Sequence, residues 1–322
     1  MFHEHTGRIL RRPVFGSVKP GLYAAALCTF AMASLPLRAQ YQGDQVLGLA
    51  GLKAGSQPTP GLYVAIPFYG HESNISIYDA QGDQILKNAA AAIDMFIVPS
   101  VQIVTPLKIL GATYGAAYTQ FIINSVLNVA AIGFQQSSGY GFGDLYVQPL
   151  ILGWRLPRAD ITAGYAFFAP TGAGSSGHHM WVNELDFGGT LYPDAAKKWN
   201  VSTMMYYDFN RTKNDQDIKV GDILTLAGGI GRSFLKGAAT VGVAYGAQWK
   251  MTHDRGADIP PLLPITNGRV FGVGPEVNVP VFAKGLNVGL VSFRYEWFVG
   301  PKTAFGGQLL TASFTYARLK RP

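Results

Sequence analysis

From Pro60 onward the chain alternates apolar and polar residues in stretches of roughly ten, divided by turn-forming residues. Strand side chains repeat every two residues, so alternation sorts each stretch into two faces. In 239–251 one face holds Val241, Val243, Tyr245, Ala247, Trp249 and Met251. The other holds Thr240, Gly242, Ala244, Gly246, Gln248 and Lys250. In 270–281, Phe271, Val273, Val277, Val279 and Val281 oppose Gly272, Gly274, Glu276 and Asn278. In 287–299, Val291, Phe293, Tyr295, Trp297 and Val299 oppose Ser292, Arg294 and Glu296. Residues 179–191 set Trp181, Leu185, Phe187 and Leu191 against Glu184, Asp186 and Thr190, and the last stretch sets Leu310, Ala312, Phe314 and Tyr316 against Thr311, Ser313 and Thr315.

The same reading predicts twelve strands, at 60–69, 94–105, 109–123, 142–155, 160–170, 179–191, 199–210, 218–234, 238–251, 269–282, 287–299 and 307–318. Short connections (156–159, 234–238, 283–287) alternate with long ones (70–93, 124–141, 170–178, 210–218, 252–268, 300–306). Short periplasmic turns and long outer loops follow the outer-membrane barrel rule, and an even strand number puts both termini on the periplasmic side. The continuously apolar stretch from Leu107 to Gly133 leaves room for a short helix or an inward-folding loop. A weak repeat links Gly143-Asp144-Leu145 with Gly221-Asp222-Ile223, each opening a strand after a long loop.

Composition narrows the class. Charged residues make up 14% of 322, against roughly 25% in ordinary soluble domains. Hydrophobic residues make up 48%, with 39 Gly, 16 Tyr and 19 Phe, which excludes disorder and a coiled coil. Past residue 40 there is no apolar run of the length a membrane helix needs. Aromatics cluster near the strand ends: Tyr165 and Phe167, Trp181, Tyr207 and Phe209, Trp249, Tyr295 and Trp297, and Tyr316. Rings at headgroup depth form the girdles of a membrane barrel. The other reading, core aromatics of a soluble β-sandwich, fits poorly with opposite faces that mix small and charged residues. The expected fold is therefore all-β: an antiparallel transmembrane outer-membrane β-barrel of about 12 strands.

The N-terminus reads as a secretory signal. Arg8, Arg11, Arg12 and Lys19 precede the apolar stretch Gly21 to Leu37, and LRAQ offers cleavage after Ala39. The expected division is a signal peptide at 1–39, a loose periplasmic lead-in at 40–58 and the barrel at 59–322. The single cysteine, Cys28, lies within the signal and follows Leu27 where lipidation needs a small residue. A mature chain without cysteine has neither disulfides nor Cys-ligated metal. Removing the signal lowers the formal net charge from +7 to +3, so no basic stripe for nucleic acid remains.

Catalytic motifs are missing: there is no HExxH, Walker loop or GxSxG. GYGFGD at 139–144 lacks the third glycine and the βαβ setting of a dinucleotide site. Ser175, Ser176, His178 and His179 could in principle form the Ser–His pair of an outer-membrane lipid hydrolase, but GAGSSGHH has the composition of a loop. Asn214, Asp215, Asp217 and Asp222 make an acidic loop cluster without EF-hand spacing, read as solvated or as a weak divalent-cation or lipopolysaccharide-bridging site. Glu184, Asp186, Lys250, Glu276, Arg294 and Glu296 fall on predicted inward faces. A charge facing lipid at mid-depth costs about 2–4 kcal/mol for Arg or Lys. These six either pair and plug the barrel or line a constriction, for which Arg294→Ala in planar bilayers is the test. Phe68, Tyr69, Tyr78 and Phe168 are candidates for capturing an aromatic ligand, with access past the Pro-rich DIPPLLPIT loop at 258–266.

GFGDLYVQPLILGW at 141–154, GYAFFAPTGAG at 164–174, WVNELDFGGTLYPD at 181–194, WNVSTMMYYDFN at 199–210 and DIKVGDILTLAGGIGRSFLKGAATVGVAYGAQWKMT at 217–252 resemble the phenol meta-pathway degradation (phenol MetA-degradation) family of outer-membrane proteins. The resemblance spans about residues 60 to 318. It implies a non-enzymatic channel in the bacterial outer membrane that passes small hydrophobic, aromatic compounds, without a cofactor or metal. It carries over no binding residues. The expected partners are outer-membrane lipids and lipopolysaccharide, the barrel-assembly machinery and the small substrate. A closed structural or adhesion barrel is the rival reading. The chain ends in Arg-Leu-Lys-Arg-Pro322 rather than in the terminal aromatic typical of a barrel assembly signal.

Overall fold

A computed structural model describes residues 47, 50–86, 92–129, 134–137, 139–234, 239–259, 267–283 and 286–319. The signal expected at 1–39 and the Pro-rich residues 260–266 lie outside the described residues.

The described strands are β1 (Gly61–Tyr78), β2 (Gln84–Leu86), β3 (Ala92–Ile109), β4 (Ala112–Val129), β5 (Phe134–Ser137), β6 (Gly141–Arg155) and β7 (Ala159–Ala169). They continue with β8 (Val182–Leu191), β9 (Trp199–Asn210), β10 (Ile223–Phe234), β11 (Ala239–Lys250), β12 (Arg269–Ala283), β13 (Leu286–Lys302) and β14 (Ala304–Leu319). β2 and β5 are short additions to outer hairpins. The other twelve run antiparallel, each hydrogen-bonded to its neighbour along the chain. β14 returns to pair with β1 from Gly61↔Leu319 to Tyr78↔Ala304, which closes the barrel. Closure leaves no edge N–H or C=O facing hydrocarbon, where water is not available to satisfy it.

The side-chain pattern is a soluble protein turned inside out. Leu185, Phe187, Val243, Phe293 and Trp297 are 46–54% exposed, while Glu184 and Glu296 between them are 0% exposed. An apolar outer face and a polar inner one suit a wall standing in lipid. Rings from neighbouring positions touch on the outside: Phe167–Trp181, Tyr207–Phe209, Trp249–Phe271 and Tyr295–Trp297, with centroids 4.7–5.9 Å apart.

Several strands differ from their expected limits. β1 runs on to Tyr78, β3 begins at Ala92, and β8 and β10 begin at Val182 and Ile223. The apolar stretch from Leu107 forms neither a helix nor an inward loop in its described part. It ends β3, turns at Leu110-Gly111 and becomes β4. Leu110 (φ 50°) and Gly111 (φ 79°) both take left-handed backbone, as a tight two-residue hairpin requires.

Candidate functional site

The lumen is occupied by the protein's own N-terminal segment. Residues 51–57, in the stretch read as a periplasmic lead-in, lie against the inner wall. Gly51–Lys53 form one 3-10 turn, and Leu52 is 0% exposed. The Leu52 N–H donates to Glu276 Oε1 at 3.3 Å. Its carbonyl accepts from Ser202 Oγ at 2.9 Å and from Asn200 Nδ2. Nearer the periplasmic end, Thr162 Oγ1 donates to the Gly55 carbonyl at 3.0 Å and Arg155 Nη2 to the Gln57 carbonyl at 2.8 Å. Ser56 Oγ and Tyr192 Oη both donate to Asp160 Oδ2 at 2.8 Å, a three-oxygen latch holding the segment to β7. Burial pushes the Tyr192 phenol up to about 12; the Ser56 hydroxyl opposes this, and the hydrogen bond to Asp160 adds a smaller push in the same direction as burial. Leu47 packs on Val270, Ala304 and Phe298 near the outer end.

Glycines make room for it. A side-chain carbon on Gly229 or Gly242 would sit 2.8 or 2.7 Å from Leu52 Cδ2, and one on Gly231 would sit 3.1 Å from Cδ1. A carbon on Gly115 or Gly153 would meet Gln57 within 2.7 Å. Sequence reading missed this seat. The visible signal was the density of inward-phased glycines at 229, 231 and 242, which nothing local required.

Next to the plug, Glu276 and Arg294 stand directly opposite each other on β12 and β13. Arg294 Nε and Nη2 reach Glu276 Oε2 at 2.9 and 2.7 Å. Glu296 lies two residues further along the same inner face and is fully buried. Across the lumen, β8 brings Glu184 opposite Asp208 and Asp186 opposite Tyr206. Tyr146 Oη donates to Glu184 Oε1 at 3.1 Å and Gln148 Nε2 to Asp186 Oδ2 at 2.7 Å. Asp208 is a wall carboxylate that sequence reading passed over, because it follows Tyr206 and Tyr207 in a stretch read for its aromatics. Two residues beyond Glu184 the inner face turns apolar. Phe121, Phe168, Met180, Val182, Ile218 and Val220 form one buried cluster, with the Tyr146 ring 4.7 Å from that of Phe168. Loops 170–181 and 211–222 supply Met180, Ile218 and Val220, so this cluster lies at the outer mouth.

The family model described as putative MetA-pathway of phenol degradation matches residues 77–314. The chain belongs to this family. Its fold is similar to that of the COG4313 outer membrane channel from Pseudomonas putida F1, with a TM-score of 0.70 at 12% identity, covering 82% of this chain and 97% of that one. The β domain of the Bordetella autotransporter BrkA aligns with a TM-score of 0.41 at 11% identity, over 80% of this chain and 99% of that one. No curated protein matches. An apolar outer wall on a closed twelve-stranded barrel places this family member in the bacterial outer membrane.

The other sequence candidates are dispersed in this member of the family. Lys250 stands in the same register row as Asp208 and Glu184, and its Nζ is 2.6 Å from Asp254 in the loop after β11. Phe168 belongs to the mouth cluster. Phe68 and Tyr69 lie on β1, which pairs with β3 and β14, and Tyr69 stacks on His71 at 6.2 Å. Tyr78 ends β1 at the outer rim, whereas Phe168 stands on β7. Ser176 Oγ donates to the Ile123 carbonyl at 3.3 Å, whereas the His179 ring meets the Gly174 carbonyl at 2.7 Å and Asp215 at 3.8 Å. Ser176 and His179 therefore have separate partners. The loop acids work one by one on backbone N–H groups. Asp217 accepts from Ala257 at 3.0 Å, Asp254 from Gly221 at 2.7 Å and Asp258 from Asp217 at 2.7 Å. The repeated Asp144 and Asp222 act in the same way. Asp144 accepts from Gly172 and His178, and Asp222 accepts from Asn210.

Proposed function

We propose that the protein is a gated outer-membrane channel for small hydrophobic, aromatic compounds. The observation that carries this reading is the apolar cluster inside the outer mouth. A general porin keeps water in contact with its lumen from end to end. Here Phe121, Phe168, Met180 and Val182 offer an apolar first station, directly followed by the hydrogen-bonding groups Tyr146, Glu184 and Gln148. A compound such as phenol, with an apolar ring and one polar group, matches that order. The plug is held by hydrogen bonds and one leucine rather than by covalent links, so its release is the natural opening step.

A second reading rests on the same plug. With Leu52 fully buried and the lumen filled, a closed barrel serving structure or adhesion is the alternative. Uptake into proteoliposomes holding the refolded mature chain separates the two. Phenol or toluene is compared with a sugar of similar size, against empty liposomes and an unrelated closed eight-stranded barrel. Protein-dependent entry of the aromatic over the sugar is expected. Equal entry of both indicates a general pore, and entry of neither supports the closed barrel.

A further inference from the structure

We infer that Arg269 and Lys302, at the outer rim of β12 and β13, bind the phosphorylated headgroup of a lipid A-type glycolipid. The two residues are direct partners across the strand pair. Like charges at opposed strand positions repel and destabilise the pair. Neither forms an ion pair among the described residues. In the turn beside Lys302, Asp79 Oδ1 accepts the N–H groups of Gln81, Gly82 and Asp83 at 2.8–2.9 Å, and neither Asp79 nor Asp83 forms an ion pair with Arg269 or Lys302 among the described residues. Lys302 lies along this turn, its Cγ and Cε 3.5 Å from where a side chain on Gly82 would begin. A phosphate between the two cations turns their repulsion into two charge-assisted hydrogen bonds.

The surface beneath determines which phosphate. The Arg269 guanidinium sits 5.7 Å from the Phe271 ring, which meets Trp249 edge-on at 5.6 Å. Below it the outward positions are Val273, Trp297 and Val299, 40–46% exposed. Cations above an unbroken apolar strip fit an amphiphile with phosphate at the top and acyl chains below. A free phosphate would leave the strip uncovered. At the periplasmic rim the arrangement differs. Arg232 lies opposite Trp199 rather than another cation, 5.2 Å from both the Trp199 and Phe234 rings.

The test titrates the full mature chain in detergent with lipid A, with its dephosphorylated form and with inorganic phosphate, reading complexes by native mass spectrometry. The expected results are at least tenfold weaker binding of dephosphorylated lipid and an equal loss in Arg269→Glu/Lys302→Glu. Arg232→Glu should bind as the parent does. A difference in gel migration between unheated and heated samples confirms barrel closure, and the milder Arg269→Gln/Lys302→Gln pair guards against a misfolded double reversal. Equal binding of the dephosphorylated lipid, unchanged binding in both double variants, or full displacement of lipid A by inorganic phosphate would each overturn the assignment.

Discussion

Leu52 and the glycines around it determine whether the lumen is filled. Leu52 sits where Gly229, Gly231 and Gly242 leave the wall bare, and an added side chain has no space to fill without moving it. Overpacking of this kind costs about 1–3 kcal/mol. Truncating a buried leucine costs about 2–5 kcal/mol. Gly231→Val and Leu52→Ala should therefore both weaken the seat of the plug, one by pressure and one by loss of contact. Single-channel recording should show a higher open probability in each than in the parent. Closed traces in both variants would mean that Leu52 is not what holds the plug. No local pattern marks this pairing, since Leu52 and Gly242 meet only after the barrel has closed.

Strands and turns were the most legible scale. Period-two alternation marks a strand wherever one face meets lipid and the other the lumen. It fails where a strand rises beyond the membrane, because both faces then meet polar surroundings. Residues 70–78 are such a case. They read as loop, yet they continue the β1 ladder to Tyr78. The turn between β8 and β9 shows what a short connection depends on. Asp194 accepts the Trp199 N–H at 2.7 Å and the Lys198 N–H at 2.9 Å. These two bonds hold its carboxyl below the ordinary range. A depressed carboxylate stabilises the turn above its unfolded value, about 3.9, and that stabilisation fades as pH falls through the lower folded value. In an NMR titration the Lys198 and Trp199 amide shifts should move with a midpoint below that of an unstructured aspartate, and Asp194→Asn should abolish the step. A midpoint at the ordinary value would show that the two bonds do not favour the charged form.

The whole lumen carries an asymmetry that its strands do not show singly. Among the described residues, Glu184, Asp186, Asp208, Glu276 and Glu296 face inward between the plug and the apolar mouth, with Arg294 paired to Glu276 and Lys250 in the register row of Asp208 and Glu184. Buried carboxylates that outnumber the cations beside them are costly and draw protons or cations to themselves. Current through the open protein should therefore be carried chiefly by cations. Under a potassium chloride gradient the reversal potential should lie on the cation side, and Asp186→Asn with Glu184→Gln should move it toward zero. A reversal potential on the anion side would refute this charge reading.

The sequence by itself determined the class of fold, because a wall between lipid and a polar lumen must repeat its side chains every two residues. It also placed Glu184, Asp186, Glu276, Arg294 and Glu296 on inward faces, since lipid would not accept them. Only the tertiary structure decided that Glu276 and Arg294 are opposite partners, that Phe168 belongs to the mouth, and that residues 51–57 occupy the lumen. Those contacts join positions up to more than two hundred residues apart, as with Leu52 and Glu276. Barrel closure and strand register create them, and neither is written in the alternation of any single strand.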